Sequence, residues 1–145
     1  LGPNLSVELF RITLDHFRHS DDLERILGAL SLAGLPKWPY GFDPGSRQSL
    51  TRTEIEAITF GRLWSDEFVN VGPAVLQTSE NGTVALRTNT VFSTGAAKVE
   101  GDHLCLQHDS LLLNRPFCGP IFVSNTPEFS YTLVNANMVF NFSPD

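Results

Sequence analysis

The chain changes its hydrophobic period once, near residue 62, and that switch limits the architectures open to it. Before it, apolar residues recur at helical spacing. Leu5, Leu9, Ile12 and His16 fall on one stripe, and Phe10, Leu14 and Phe17 on its neighbour. Leu23, Ile26, Leu27 and Leu30 follow the i, i+3, i+4, i+7 pattern of a core-facing helix. Ser20 reads as an N-cap, with Asp21, Asp22 and Glu24 in the first turn, where acids favour the positive end of the helix dipole. Gly34 and Pro36 supply the stop. The spacing predicts a helical hairpin over roughly 5–19 and 21–33. Thr51-Arg-Thr-Glu54 is a capping box; Ile55, Ile58 and Thr59 follow at helical spacing, and Gly61 closes a short third helix.

After residue 62 the alternation is strand-like. Strands are predicted at Pro73–Ser79, Thr83–Val91, Ala96–Val99, His103–Gln107, Gly119–Ser124, Phe129–Val134 and Met138–Phe142. Glu80-Asn81-Gly82 is a turn, because Asn-Gly accepts positive φ, and Thr94-Gly95 and Glu100-Gly101-Asp102 punctuate the next connections. No glycine-rich phosphate loop and no βαβ alternation is visible. The predicted class is α+β: an N-terminal helical hairpin and a short third helix, then an antiparallel β-meander of about six to seven strands curling into a half-barrel or small barrel. The divisions are 1–36 for the hairpin, 37–62 for an aromatic loop and the third helix, and 63–145 for the sheet, all one compact unit.

At 145 residues the chain can bury a core without metals or several disulfides. Its net charge is −6, and its ten Lys and Arg are scattered, which argues against a nucleic-acid partner. No run approaches the ~18–20 apolar residues that cross a bilayer, so membrane insertion by this fragment is not expected. The chain opens Leu1-Gly2-Pro3 rather than with Met, and the expectation is a piece of something longer.

Residues 35–48 fit neither period. Leu35-Pro-Lys-Trp-Pro-Tyr-Gly-Phe-Asp-Pro-Gly45 holds three prolines, two glycines and three aromatics. It reads as an ordered loop packing its aromatics on the sheet, or as an aromatic lid over a pocket. Trp38, Tyr40 and Phe42, with Trp64, are the candidate ligand-binding residues. Catalytic residues are not legible. Ser65-Asp66-Glu67 are adjacent and do not converge on one point, and Asp43, Asp102 and Asp109 fall where turns favour Asp. His16 and His19, with Asp15 and Asp21, could share a helical metal site, against the simpler reading of surface histidines. His103 and His108, five apart on a strand, point to opposite faces. No metal and no cofactor is expected. Cys105 and Cys118, thirteen apart, could bridge adjacent antiparallel strands or stay as two buried thiols; spacing alone leaves both open.

Two segments carry a resemblance. Asp22-Leu-Glu-Arg-Ile-Leu-Gly-Ala-Leu-Ser-Leu-Ala-Gly-Leu-Pro36 and Leu50-Thr-Arg-Thr-Glu-Ile-Glu-Ala-Ile-Thr-Phe-Gly-Arg62 resemble the region after the tetratricopeptide repeats of some bacterial class III adenylate/guanylate cyclases. Gly95-Ala-Ala-Lys-Val-Glu-Gly-Asp-His-Leu-Cys-Leu-Gln107, followed by Cys118, is similar to a pattern in small bacterial extracytoplasmic β-domains. The resemblance implies an accessory domain of a signalling protein, not the cyclase itself, and none of the cyclase's metal or nucleotide residues is carried over. It also implies a periplasmic or extracytoplasmic location, and hence a Cys105–Cys118 disulfide. The implied function is a non-catalytic sensory domain that binds a small molecule or peptide in the concavity of the sheet. The alternative is a structural interaction domain that forms a homodimer or holds a partner. A small enzyme with a barrel pocket would need two convergent titratable side chains, and the sequence displays no such pair.

Overall fold

The structure is a computed structural model, and it describes residues 5–13, 20–68, 72–109, 116–135 and 138–145. Three helices come first: α1 (Val7–Thr13), α2 (Ser20–Leu32) and α3 (Arg52–Thr59). The strands are β1 (Arg62–Phe68), β2 (Gly72–Thr78), β3 (Thr83–Thr88), β4 (Phe92–Glu100), β5 (His103–His108), β6 (Phe117–Gly119), β7 (Ile121–Val123), β8 (Tyr131–Asn135) and β9 (Met138–Pro144).

All nine pair antiparallel in one sheet of order β6-β5-β4-β3-β2-β1-β9-β8-β7. The two ends of that order are consecutive in sequence. β6 and β7 are halves of one stretch broken at Pro120, which has no N–H to offer a ladder. The first half pairs with β5 and the second with β8, and the Val134 N–H donates to the Pro120 carbonyl at 3.1 Å. The sheet thereby curls into a nearly closed barrel. Gly119 permits the seam: a Cβ there would lie 1.8 Å from the Val134 carbonyl oxygen.

The α+β class and the barrel-like meander are as the sequence predicts, but the described residues form nine strands rather than six to seven; the strand predicted at Gly119–Ser124 is split at Pro120 into β6 and β7, and three further differences follow. β1 was not among the predicted strands, because Ser65, Asp66 and Glu67 hide its alternation; its inner face is Trp64 and Asp66. Thr94-Gly95 is not a connection, for β4 runs straight through it. Gly95 is needed there for backbone approach, since a Cβ would meet the Gln107 carbonyl oxygen at 1.8 Å. The strand predicted at Thr83–Val91 stops at Thr88, whose Oγ1 accepts from the N–H groups of Thr90 and Val91 and bends the chain.

The lower end of the barrel carries the β2–β3 and β4–β5 turns and is closed by α3. The Thr51–Glu54 capping box is present, and the Arg52 N–H donates to Asp102 Oδ1 at 2.8 Å. Ile55 is fully buried and enters the barrel core with Trp64, Leu76, Val84, Leu104, Ile121, Leu133 and Phe142. The upper end carries the β1–β2, β3–β4, β5–β6 and β8–β9 connections; 69–71, 110–115 and 136–137 lie outside the described residues.

The helical hairpin has its own apolar cluster, in which Val7, Leu27 and Leu35 are buried. α2 ends with Gly34 at φ 93° and the Leu35 N–H donating to Leu30, so the predicted stop is the observed one. α1 covers 7–13 of the predicted first helix, whose 14–19 portion lies outside the described residues. The Val7 N–H donates to Pro36 at 2.9 Å, and Arg11 pairs with Glu24 across the two helices.

Candidate binding site inside the barrel

The four aromatic candidates separate into two places. Trp38, Tyr40 and Phe42 pack on the outer face of β7–β9, over buried Phe122, Val134 and Val139. Phe42 meets Phe122 at 5.6 Å between centroids, and the Arg47 guanidinium sits 5.6 Å from the Phe42 ring. Arg47 also donates to the carbonyls of Asp43, Pro44 and Val123, which pins the loop to the edge of β7. A shallow cleft of about 320 Å³ remains, bordered by Tyr40, Phe42, Arg47, Thr126 and Asn141. This segment is the ordered loop of the first reading, and its rings are spent on the sheet.

Trp64 is elsewhere. It is 1% exposed, inside the lower barrel, stacked on Phe142 at 3.8 Å between centroids, and its Nε1–H donates to the Ile58 carbonyl at 2.8 Å. The lower bore is therefore packed with side chains.

The upper bore is built differently. The inward positions above the apolar floor include Asp66 on β1, Ser93 on β4, His108 on β5 and Asn135 on β8, all buried. Asp66 is flanked by exposed Ser65 and Glu67, so strand alternation alone turns it inward. His108 follows Leu104 and Leu106 on the inner face, while His103 is exposed, as the spacing predicted. Neither Asp66 oxygen, neither Asn135 amide atom, nor His108 Nδ1 has a hydrogen-bond partner. Two hydroxyls at the lower end, Thr59 and Thr78, share that condition. They are single hydroxyls on separate elements, α3 and β2. The upper trio brings a carboxyl, an amide and an imidazole from three walls to one space.

Leaving such atoms unsatisfied costs about 1–3 kcal/mol each, and native folds seldom carry several together without a use for them. The residues beside them are small. Ala74, Ser93 and Gly95 hold inward positions and add little bulk to this part of the bore. An eight- or nine-stranded barrel has room for either a packed core or one small ligand.

Burial favours the neutral forms of the two titratable members. It pushes the Asp66 carboxyl well above the usual carboxylate range. It pulls the His108 imidazole below its ordinary value, opposed by the nearby Asp109 carboxylate. The neutral acid can donate a hydrogen bond and the neutral imidazole can accept one. These are the two titratable groups in one bore that the sequence did not display. The signal was there in part: Trp64 and Asp66 are two apart, as are Leu106 and His108, and each polar group continues an apolar inner face.

Cys105 and Cys118 are directly opposed on β5 and β6, with sulfurs at 2.06 Å, disulfide distance. Such a pair is compatible with an extracytoplasmic location. The Glu100 carboxylate lies within 4.8 Å of both sulfurs, but a bonded pair offers no thiolate to a metal. Of the helical metal candidates, His16, His19 and Asp15 lie outside the described residues, and Asp21 is exposed. No described helix is long and apolar enough to cross a membrane. No protein-family model, curated protein or solved structure matches this chain.

Proposed function

We propose that this chain is a non-catalytic, sensory accessory domain that holds one small molecule in the upper half of its barrel, between Asp66, His108 and Asn135. The observation that carries the reading is the set of unsatisfied buried atoms on those three side chains. They rise above a rigid apolar floor closed by α3. A rigid scaffold with a few orphaned polar groups is the usual construction of a small-ligand site.

The likeness of 22–36 and 50–62 to cyclase-associated segments supports a place in a bacterial signalling protein, with a nucleotide cyclase as the attached effector. The opposed cysteines support the periplasm as its compartment. The α1–α2 hairpin, with its own small core, would pass the signal on.

The test is a fragment screen followed by amide and indole NMR. Binding should move the Asn135 side-chain amide and the Trp64 indole signal, and Asn135→Leu should abolish both shifts while the fold persists. Hits that move only Tyr40, Phe42 and Arg47 would transfer the function to the outer cleft. That outcome would favour the alternative, a protein-interaction or dimerisation surface. A screen without hits, with the Asp66 carboxyl shown to bond to bound water alone, would remove the ligand reading.

A further inference from the structure

Among its described residues the upper bore presents one acid and no Lys or Arg to neutralise it. Asp66 is 6% exposed, and no Lys or Arg is among the buried residues described. Buried carboxyls in folded proteins are paired with a cation or kept neutral. Among the described residues no Lys or Arg is buried beside it. The other orphaned groups are largely acceptors: Asn135 Oδ1, and His108 Nδ1 when its proton is on Nε2. The floor beneath Asp66 is aromatic. Trp64 lies two residues before it on the same inner face, and Phe142 is its direct partner across the β1–β9 ladder. Phe140 and Phe117 are buried in the same interior. Aromatic faces attract cations.

We infer that the ligand of this bore is a small organic amine, bound as its ammonium form with the N–H groups on Asp66, Asn135 and His108 and its apolar body against the aromatic floor. The inference rests on the proposed ligand site and adds the chemistry of the ligand. An ammonium has three donors and no acceptor, which suits this trio. It also brings the countercharge that Asp66 lacks, so the carboxyl ionises on binding and its proton leaves to solvent. A neutral alcohol of the same shape could use the hydrogen bonds but could not compensate that charge.

The experiment uses matched probes on the intact chain: butylamine against butanol, and phenethylamine against 2-phenylethanol, by calorimetry and NMR. Each amine should bind at least about tenfold tighter than its alcohol, a preference of the size charge-assisted hydrogen bonds give. Asp66→Asn should bring amine and alcohol affinities within about twofold of each other. Alcohols binding as well as amines to the wild type would overturn the amine inference and leave the site standing. No binding by any of the four would overturn both. Because the wild-type comparison needs no variant, a misfolded Asp66→Asn would not blunt the test.

Discussion

The two halves of the barrel interior are made by the same strands and solve opposite problems. In the lower half the inward positions are spent mainly on apolar packing. Trp64, Phe142, Leu76, Val84, Leu104, Ile121 and Leu133 fill it, and Ile55 of α3 caps it. In the upper half the same alternation delivers Asp66, His108 and Asn135, and among the described residues nothing bonds the Asp66 oxygens, the Asn135 amide atoms or His108 Nδ1. A strand cannot choose which residues face inward, because the period of two fixes it. Only residue type separates the halves, so one strand can carry a structural plug at Trp64 and a functional group at Asp66. The lower half stabilises the barrel, and that surplus lets the upper half keep groups that cost stability.

Removing the plug should give the largest effect. Trp64→Ala deletes a stacked, fully buried indole and its bond to the Ile58 carbonyl. A loss of about 3–5 kcal/mol is expected in urea unfolding, with an unchanged slope if two-state behaviour survives. A loss below about 1 kcal/mol would mean that the lower half is not the load carrier, and the contrast between the halves would fail.

The seam ranks next. Cys105 and Cys118 join β5 to β6 beside the place where the sheet returns on itself. Reduction should lower stability by about 3 kcal/mol in the chain-entropy account of a loop this long. Intact mass after alkylation should rise only when reductant precedes it. Alkylation of the untreated folded protein, or a midpoint indifferent to reductant, would show that the barrel holds its seam by hydrogen bonds alone.

How much of this could be read from the chain depends on how local each cause is. The capping box is complete within Thr51–Glu54, and the α2 stop within Leu30–Leu35, so both were legible. So were the aromatic loop as an ordered cover and the opposite faces of His103 and His108. The closure at Pro120 was not, because it depends on Val134 coming round from a distant strand. The site was hidden for a different reason. Asp66 breaks the apolar alternation that reveals a strand, so β1 is not among the predicted strands. The residues that make the upper half interesting are those that violate the pattern used to find strands.

Acidity separates the halves further. With its folded pKa raised above the unfolded value of 3.8, Asp66 contributes stability that is fully present below that value. That contribution is lost as pH rises toward the folded value, since the unfolded chain releases its proton first. Asp66→Asn removes the titration. The stability of the variant relative to wild type should therefore increase with pH above about 4, by at most ~1.4 kcal/mol per pH unit. Paired unfolding curves from pH 4 to 8 measure it. A constant difference would mean that Asp66 titrates in the fold as in the unfolded chain, and so is not desolvated.

His108 should give the smallest effect, with the opposite sign. Its folded pKa is pulled below the ordinary 6.5 by burial, and the Asp109 carboxylate works against the shift. The stability it contributes is present above 6.5 and is lost as pH falls through the folded value, because the unfolded imidazole takes up its proton first. His108→Gln should flatten the wild-type decline between pH 6.5 and 5 and leave the Asp66-dependent rise of that comparison untouched. The two titrations should be additive if the side chains stand on opposite walls of an open bore, and strongly coupled if they touch. The double variant decides between these: additivity keeps the space between them free for a ligand, and coupling would mean the pair satisfies itself.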